Sequence, residues 1–184
     1  MKDINLYCDM DGVLVDLHGG IIKASWLQAK SMKDRIKKII ESEWKFGINH
    51  PVPEFQEANL FIDNLVSNNA AFWANLEPTK EKDELWDNIS EFNPSILSHP
   101  WDKSSAVGKN IWLRRHLNPG PGEVFLPLDG KKHLWASSDD GKINILIDDF
   151  EKYVIPWNNA GGICIHHTTG DAESSISALN NILS

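Results

Sequence analysis

Short apolar runs closed by polar or turn-forming residues recur along the chain at 4–8, 95–97, 124–126, 143–147 and 163–165. Runs of this length, bounded in this way, predict strands buried on both faces, as in a parallel sheet. Periodicity at three- and four-residue steps separates the later runs and predicts helices over 107–117, 150–159 and 172–183, the last with Asp171 as its N-cap. Strands alternating with helices in this order predict an α/β fold with an open, doubly wound sheet.

The interval between the first and second runs reads differently. Ile22, Trp26, Ala29, Met32, Ile36, Ile39 and Ile40 recur at helical steps, as do Phe55, Ala58, Ile62 and Leu65, and then Leu85, Ile89 and Phe92. The pattern predicts a helical subdomain over 18–92, inserted into a core made of 1–17 and 93–184. Gly19-Gly20 loosens its start, and Asn93-Pro94 closes it, because a helix does not run on through proline. The segment "NPGPGE", 118–123, is a loop for the same reason.

Composition narrows what such a fold can do. With 184 residues, 41% hydrophobic and 24% charged, the chain can build one full core and a modest insertion. Its formal net charge of −8 disfavours an extended nucleic-acid backbone as partner, since that calls for a basic face. A small phosphorylated substrate remains compatible, provided a cation makes the pocket locally positive. No apolar run approaches the roughly 20 residues of a membrane-spanning helix, and the N-terminal segment lacks the apolar stretch of a secretory signal. A cytoplasmic protein without membrane contact is expected, and assembly as a homodimer is left open. Cys8 and Cys164 lie in apolar runs without the paired spacing of a zinc site, so reduced core thiols are expected.

Ligands of an open parallel sheet bind beyond the carboxyl ends of its strands. Polar residues gather there: Asp9 and Asp11 after the first run, Ser98 after the second, Asp148 and Asp149 after the fourth. Like charges at close range require a cation, and Mg²⁺ takes oxygen ligands of this type. Asp9 and Asp11, at i and i+2 of an extended segment, would point the same way, one to attack and the other to handle a proton. Lys109, on the helix after the second strand, is expected to reach the same edge and offset charge on a transferring phosphoryl group.

Each of these features has an ordinary reading when taken singly. An Asp pair caps turns, a serine forms them, and a lone lysine is a solvated charge. Their order along the chain carries the functional reading: strand into DxDG, strand into Ser, helix with Lys, strand into DD. Lys131, Lys132, Arg114 and Arg115 read as solvated charges, and His166-His167 as a surface pair at a strand end. Lys103 has a better case for reaching a substrate phosphate, and the His99 N–H, next to Ser98, for contacting one. The inserted segment is rich in rings: Trp26, Trp44, Phe46, Phe72 and Trp73. Trp26 lies on the apolar stripe and is expected in the helical core. Phe72 and Trp73 are expected at a pocket, where an aromatic face can stack on a nucleobase.

Over nearly its whole length the chain resembles the haloacid dehalogenase (HAD) superfamily of phosphohydrolases. "DMDGVLVD" is similar to its first motif, "ILSHP" to the second, "AVGKNIW" to the third and "ILIDDF" to the fourth. The resemblance implies a Rossmann-like core with a helical C1 cap after the first strand. It also implies an Asp9 nucleophile, Asp11 as general acid and then base, and Ser98 and Lys109 on the phosphoryl oxygens. Asp148 and Asp149 would hold Mg²⁺ together with Asp9 and the Asp11 carbonyl.

A narrower resemblance is to the 5'-nucleotidase type C group, which includes the 5'(3')-deoxyribonucleotidases. It rests on "FWANLEP" (72–78), "SHPWDKSSAVGKNIWLRRHL" (98–117) and "LIDDFEKYVIPWNNAGGICIHH" (146–167). Two features depart from that group: Ser98 stands where threonine is common, and "GKKHLWASSDDGK" (130–142) is longer than the corresponding connection. The implied activity is Mg²⁺-dependent hydrolysis of (deoxy)nucleoside 5'-monophosphates. The alternatives are another small phosphorylated metabolite, a nucleic-acid 3'-phosphate, or a non-catalytic phosphate-binding module.

Overall fold

The computed structural model describes residues 3–41 and 52–184. Trp44 and Phe46 lie outside the described residues. Five strands, β1 (Ile4–Cys8), β2 (Ser95–Leu97), β3 (Val124–Phe125), β4 (Ile143–Asp148) and β5 (Ile163–His166), form one parallel sheet in the order β3-β2-β1-β4-β5. Among the described residues the helices are α1 (Leu17–Ala24), α2 (Lys30–Glu41), α3 (Gln56–Val66), α4 (Ala70–Ala74), α5 (Lys82–Ile89), α6 (Lys103–His116), α7 (Glu151–Asn159) and α8 (Ala172–Leu183). No described helix is long and apolar enough to cross a membrane. The Asp171 side chain accepts from Ser174 N at 3.0 Å, satisfying an amide at the start of α8 as an N-cap does.

The strand pattern follows from two-sided burial. Leu6, Cys8, Ile96, Ile145 and Ile147 are inaccessible or nearly so, and register pairs Tyr7 with Leu146 and Leu146 with Cys164. The face carrying Tyr7, Leu97, Phe125, Leu146 and Cys164 packs on Trp157 of α7 and on Trp135 and Ala136. Tyr7 meets the Trp157 ring edge-on at 5.6 Å, a favoured arrangement for aromatic quadrupoles. Both cysteines are free, with Cys8 buried and Cys164 half-buried.

Contacts divide the chain into two compact groups, and their boundary differs from the expected one at 92. The first comprises Met1–Asp16, Pro78–Pro100 and Leu113–Ser184; the second comprises Leu17–Glu77 and Trp101–Trp112. In the first group, α5 packs on α8. Val15 bridges Pro78, and Thr79 ties back through N to Leu14 O at 3.0 Å and through Oγ1 to Val13 O at 2.9 Å. The chain has therefore rejoined the sheet group by Pro78, well before Asn93-Pro94.

In the second group, Trp101 and Asp102 just before α6, and Trp112 within it, join the inserted segment through paired polar groups. Trp101 Nε1 donates to Ser67 Oγ at 2.8 Å, Asn68 N to Asp102 Oδ2 at 2.6 Å, and Trp112 Nε1 to the Leu76 carbonyl at 2.8 Å. Gly108 permits the close approach: a Cβ there would lie 2.4 Å from the Ala70 carbonyl oxygen. Ile21, Ile36, Ile39, Ala58, Ile62 and Val66 form the buried stripe of this group. Trp26 does not join it, being 69% exposed. The predicted continuous stripe breaks at a 3-10 turn over Ser25–Leu27, which shifts the helical phase between α1 and α2 and turns the indole outward. Gly19 and Gly20 lie within α1, where Gly20 makes room for Leu76.

Candidate active site

The site sits at the carboxyl edge of the sheet and starts from the central strand. Asp9 N extends the β1 ladder by donating to Ile147 O at 2.9 Å, and Asp9 is 5% exposed. The chain then turns at once, with the amides of Val13, Leu14 and Val15 all converging on the Met10 carbonyl. Asp9 and Asp11 are thus not two residues of one straight strand: Asp9 ends the ladder and Asp11 opens the turn. Gly12 makes that turn at φ +76, and a Cβ there would fall 1.9 Å from Asp149 Oδ2, so both backbone and space demand glycine.

At the end of β4 the two aspartates have different partners. Asp148 is buried; its Oδ1 accepts from Phe150 N at 2.9 Å and its Oδ2 lies 2.6 Å from Lys132 Nζ. No hydrogen bond or ion pair among the described residues reaches the Asp149 carboxylate, which comes together with those of Asp9 and Asp148 so that one oxygen from each lies within 4.8 Å of the others.

Lys132 corrects the sequence reading. It is 1% exposed, and its ammonium spans Asp148 and Asp9, 2.9 Å from Asp9 Oδ1. A short 3-10 turn, Lys132–Trp135, delivers it, held because Lys132 N donates to Gly130 O at 2.9 Å and because Trp135 and Ala136 are embedded in the core beside β3 and β4. The long 130–142 connection therefore carries a buried cation of the site. Burial works against the Lys132 charge, but Asp148 and Asp9 more than offset it and hold the ammonium protonated well above its ordinary range.

Ser98 is buried at the end of β2, its N–H donating to Phe125 O at 3.1 Å. The imidazole of His99, given no role in the sequence reading, has defined neighbours: Nδ1 lies 3.1 Å from the Tyr153 hydroxyl and Nε2 lies 3.3 Å from the Leu128 carbonyl. The face of the Tyr153 ring lies under Lys132, with Nζ 4.3 Å from the centroid. At the end of β5 the expected surface pair divides, with His166 exposed and His167 buried 2.9 Å from Ser175 Oγ.

The charge balance asks for a cation. Burial, then the charges of Asp9, Asp148 and Asp11, pushes Asp149 up to about 8, while burial also pushes Asp148 upward against the pull of Lys132. Within the sheet group the Lys132 ammonium faces Asp9, Asp11, Asp148 and Asp149, an excess of negative charge. The donors offered are hard oxygens, three of them already clustered, so the residues present fit a small divalent cation of the Mg²⁺ type.

Solved structures share this architecture. YfnB from Bacillus subtilis, described as a HAD-hydrolase and crystallised bound to magnesium, superposes with a TM-score of 0.60 at 13% identity, covering 89% of this chain and 88% of its own. A hydrolase from Streptococcus pneumoniae TIGR4 gives 0.54 at 17% identity over 100% and 99% of the two chains. L-2-haloacid dehalogenase from Xanthobacter autotrophicus gives 0.53 at 13%, over 89% and 76%. The fold is that of the HAD hydrolases. No protein-family model matches the sequence, and no curated protein matches it either.

Within this HAD-type fold, the sheet group brings together Asp9, Asp148 and Asp149, with Asp11 adding charge beside them and Ser98 and His99 at the end of the adjacent strand. Lys109, Lys103, Phe72 and Trp73 belong to the helical group. Lys109 is 1% exposed and stands 5.1 Å from the Trp73 ring centroid. Trp73 is 3% exposed with Nε1 donating to Val66 O at 2.9 Å, so it packs inside its own group instead of presenting a free stacking face. Phe72 is half-buried against its edge, and Lys103 is exposed at the start of α6. Sequence reasoning did not place Lys132 at these aspartates or Tyr153 against Lys132. A signal for the first was present, since the loop after the third strand also opens at the carboxyl edge.

Proposed function

We propose that the protein is a Mg²⁺-dependent phosphomonoesterase of the HAD superfamily, acting through an aspartyl-phosphate on Asp9. The observation that carries this reading is the Lys132 ammonium, 2.9 Å from Asp9 Oδ1 within a cluster of carboxylates. Asp9 attacks phosphorus, forming the acyl phosphate as the ester oxygen departs. Asp11 gives its proton to that oxygen and then takes one from the water that hydrolyses the acyl phosphate. Lys132 takes the place first assigned to Lys109, offsetting charge at Asp9 and the arriving phosphoryl group, while Ser98 and the His99 amide donate to phosphoryl oxygens. Asp9, the Asp11 carbonyl and Asp149 would hold Mg²⁺ directly, because both oxygens of Asp148 are already engaged. When bound, the ion neutralises charge on the phosphoryl oxygens.

The substrate class proposed is a (deoxy)nucleoside 5'-monophosphate, on the strength of the sequence resemblance at 72–78, 98–117 and 146–167. The burial of Trp73 removes one of the two rings expected to stack on a base and favours, as a second reading, another small phosphorylated metabolite. Release of inorganic phosphate from a panel of mononucleotides and sugar phosphates, with Mg²⁺ and with Asp9→Asn as control, tests both. Mononucleotides turning over fastest, with no turnover by D9N, is the expected result. Equal activity in D9N overturns the mechanism, and preference for sugar phosphates overturns the substrate class.

A further inference from the structure

A lysine stem is flexible, and two carboxylates fix only part of the Lys132 ammonium, which has three N–H donors. On another side stands the face of Tyr153, 4.3 Å from Nζ to the ring centroid. The negative face of an aromatic ring attracts a cation, most strongly where water is excluded, and Lys132 is 1% exposed. The exposed Lys152 also lies near this ring, but farther off at 5.5 Å.

The ring is itself anchored. A backbone carbonyl can only accept, so His99 Nε2 donates to Leu128 O, and in the neutral imidazole this leaves Nδ1 to accept from the Tyr153 hydroxyl. Burial pushes that hydroxyl up to about 12, which keeps it a donor. The loop bearing Lys132 packs on the same imidazole: a Cβ on Gly130, which has φ +65, would lie 3.0 Å from His99 Nδ1, and Gly130 O accepts from Lys132 N. Three strand-end segments thus interlock through His99 and Tyr153.

We infer that Tyr153 is a positioning residue, which holds the Lys132 ammonium against Asp9 through its ring and ties it to the Ser98-His99 loop through its hydroxyl. This inference rests on the phosphatase reading for its effect on rate, but not for its geometry. The two are separated by measuring both turnover of p-nitrophenyl phosphate with Mg²⁺ and the NMR shifts of the Lys132 ε-methylene protons, which a ring face shields.

Tyr153→Leu is expected to lower kcat about tenfold with KM within about twofold, and to abolish the upfield shift. Tyr153→Phe, which keeps the ring, is expected to recover most of kcat and to keep the shift. Pentafluorophenylalanine at 153 keeps the ring's shape but reverses the charge on its face; it is expected to behave kinetically like Y153L, and it decides the matter if Y153L does not fold. Wild-type kcat in Y153L, a Y153F as slow as Y153L, or a pentafluoro variant as fast as Y153F would overturn the inference. A wild-type protein that releases no phosphate but shows the shielded methylene, lost in Y153L, overturns the phosphatase reading and leaves the placement of Lys132 standing.

Discussion

Lys132 Nζ lies 2.6 Å from Asp148 Oδ2 and 2.9 Å from Asp9 Oδ1, so that one buried cation joins the ends of two adjacent strands. Removing one partner of a buried ion pair typically costs about 3–5 kcal/mol, because the charge left behind is uncompensated. Lys132→Met should therefore lower the stability of the metal-free protein by an amount of this order in urea unfolding. Phosphate release should fall by about 10²–10³-fold, the usual cost of losing one electrostatic stabiliser of a transferring group. Turnover at the wild-type rate would remove the lysine from the chemistry.

Asp149 gives a pH signature. Its carboxyl is held up to about 8 without metal, against an ordinary value of 3.8. A group that binds its proton more tightly folded than unfolded contributes stability at low pH, and this contribution fades as pH rises toward the folded value. The metal-free protein should lose stability between pH values of about 4 and 8 on account of this group, and Asp149→Asn should lack that component. Binding of Mg²⁺ competes with the same proton, so titration calorimetry should show affinity rising up to about pH 8, with proton release.

Gly12→Ala would place a methyl group where Asp149 Oδ2 now lies, at a φ of +76. Backbone strain at such a position costs about 1–3 kcal/mol, and the displaced carboxylate can no longer meet Asp9 and Asp148. The expected outcome is a lower melting temperature together with weakened Mg²⁺ binding; unchanged calorimetric affinity would separate Asp149 from the metal.

Trp157→Ala would empty the centre of the cluster formed by Leu97, Ala136 and Leu146 and leave Tyr7 without its edge-on partner. Truncating a buried aromatic costs about 3–5 kcal/mol, a large part of a domain's total stability. Chemical denaturation should show a loss of that size. Because Trp135 shares the cluster, the turn bearing Lys132 should loosen as well, visible as faster amide exchange at Lys132.

The sheet was legible in the sequence because two-sided burial writes continuous apolar runs: β1 and β2 match their predicted limits, and the other strands match within one residue. The aspartates were legible because they close those runs. Lys132 was not, because "KK" after a turn has the composition of a solvated loop, and only the packing of Trp135 and Ala136 pulls one of the two lysines inside. The placement of Lys109 was not legible either: Trp112 of α6, with Trp101 and Asp102 just before the helix, bonds to the inserted helices, so Lys109 falls in the helical group. Trp26 failed because periodicity carries no marker for a one-turn break in phase.

The central place of β1 also bears on when the site can exist during synthesis. Residue pairing sets β1 against β4 from Ile4↔Ile143 to Cys8↔Ile147, and Asp9 N reaches Ile147 O. In the chain, β4, Lys132 and the Asp148-Asp149 pair all follow Asp9 by more than a hundred residues. A chain translated only as far as β3 therefore lacks the strand that Asp9 N bonds to, and the carboxylate cluster can assemble only once β4 has been made.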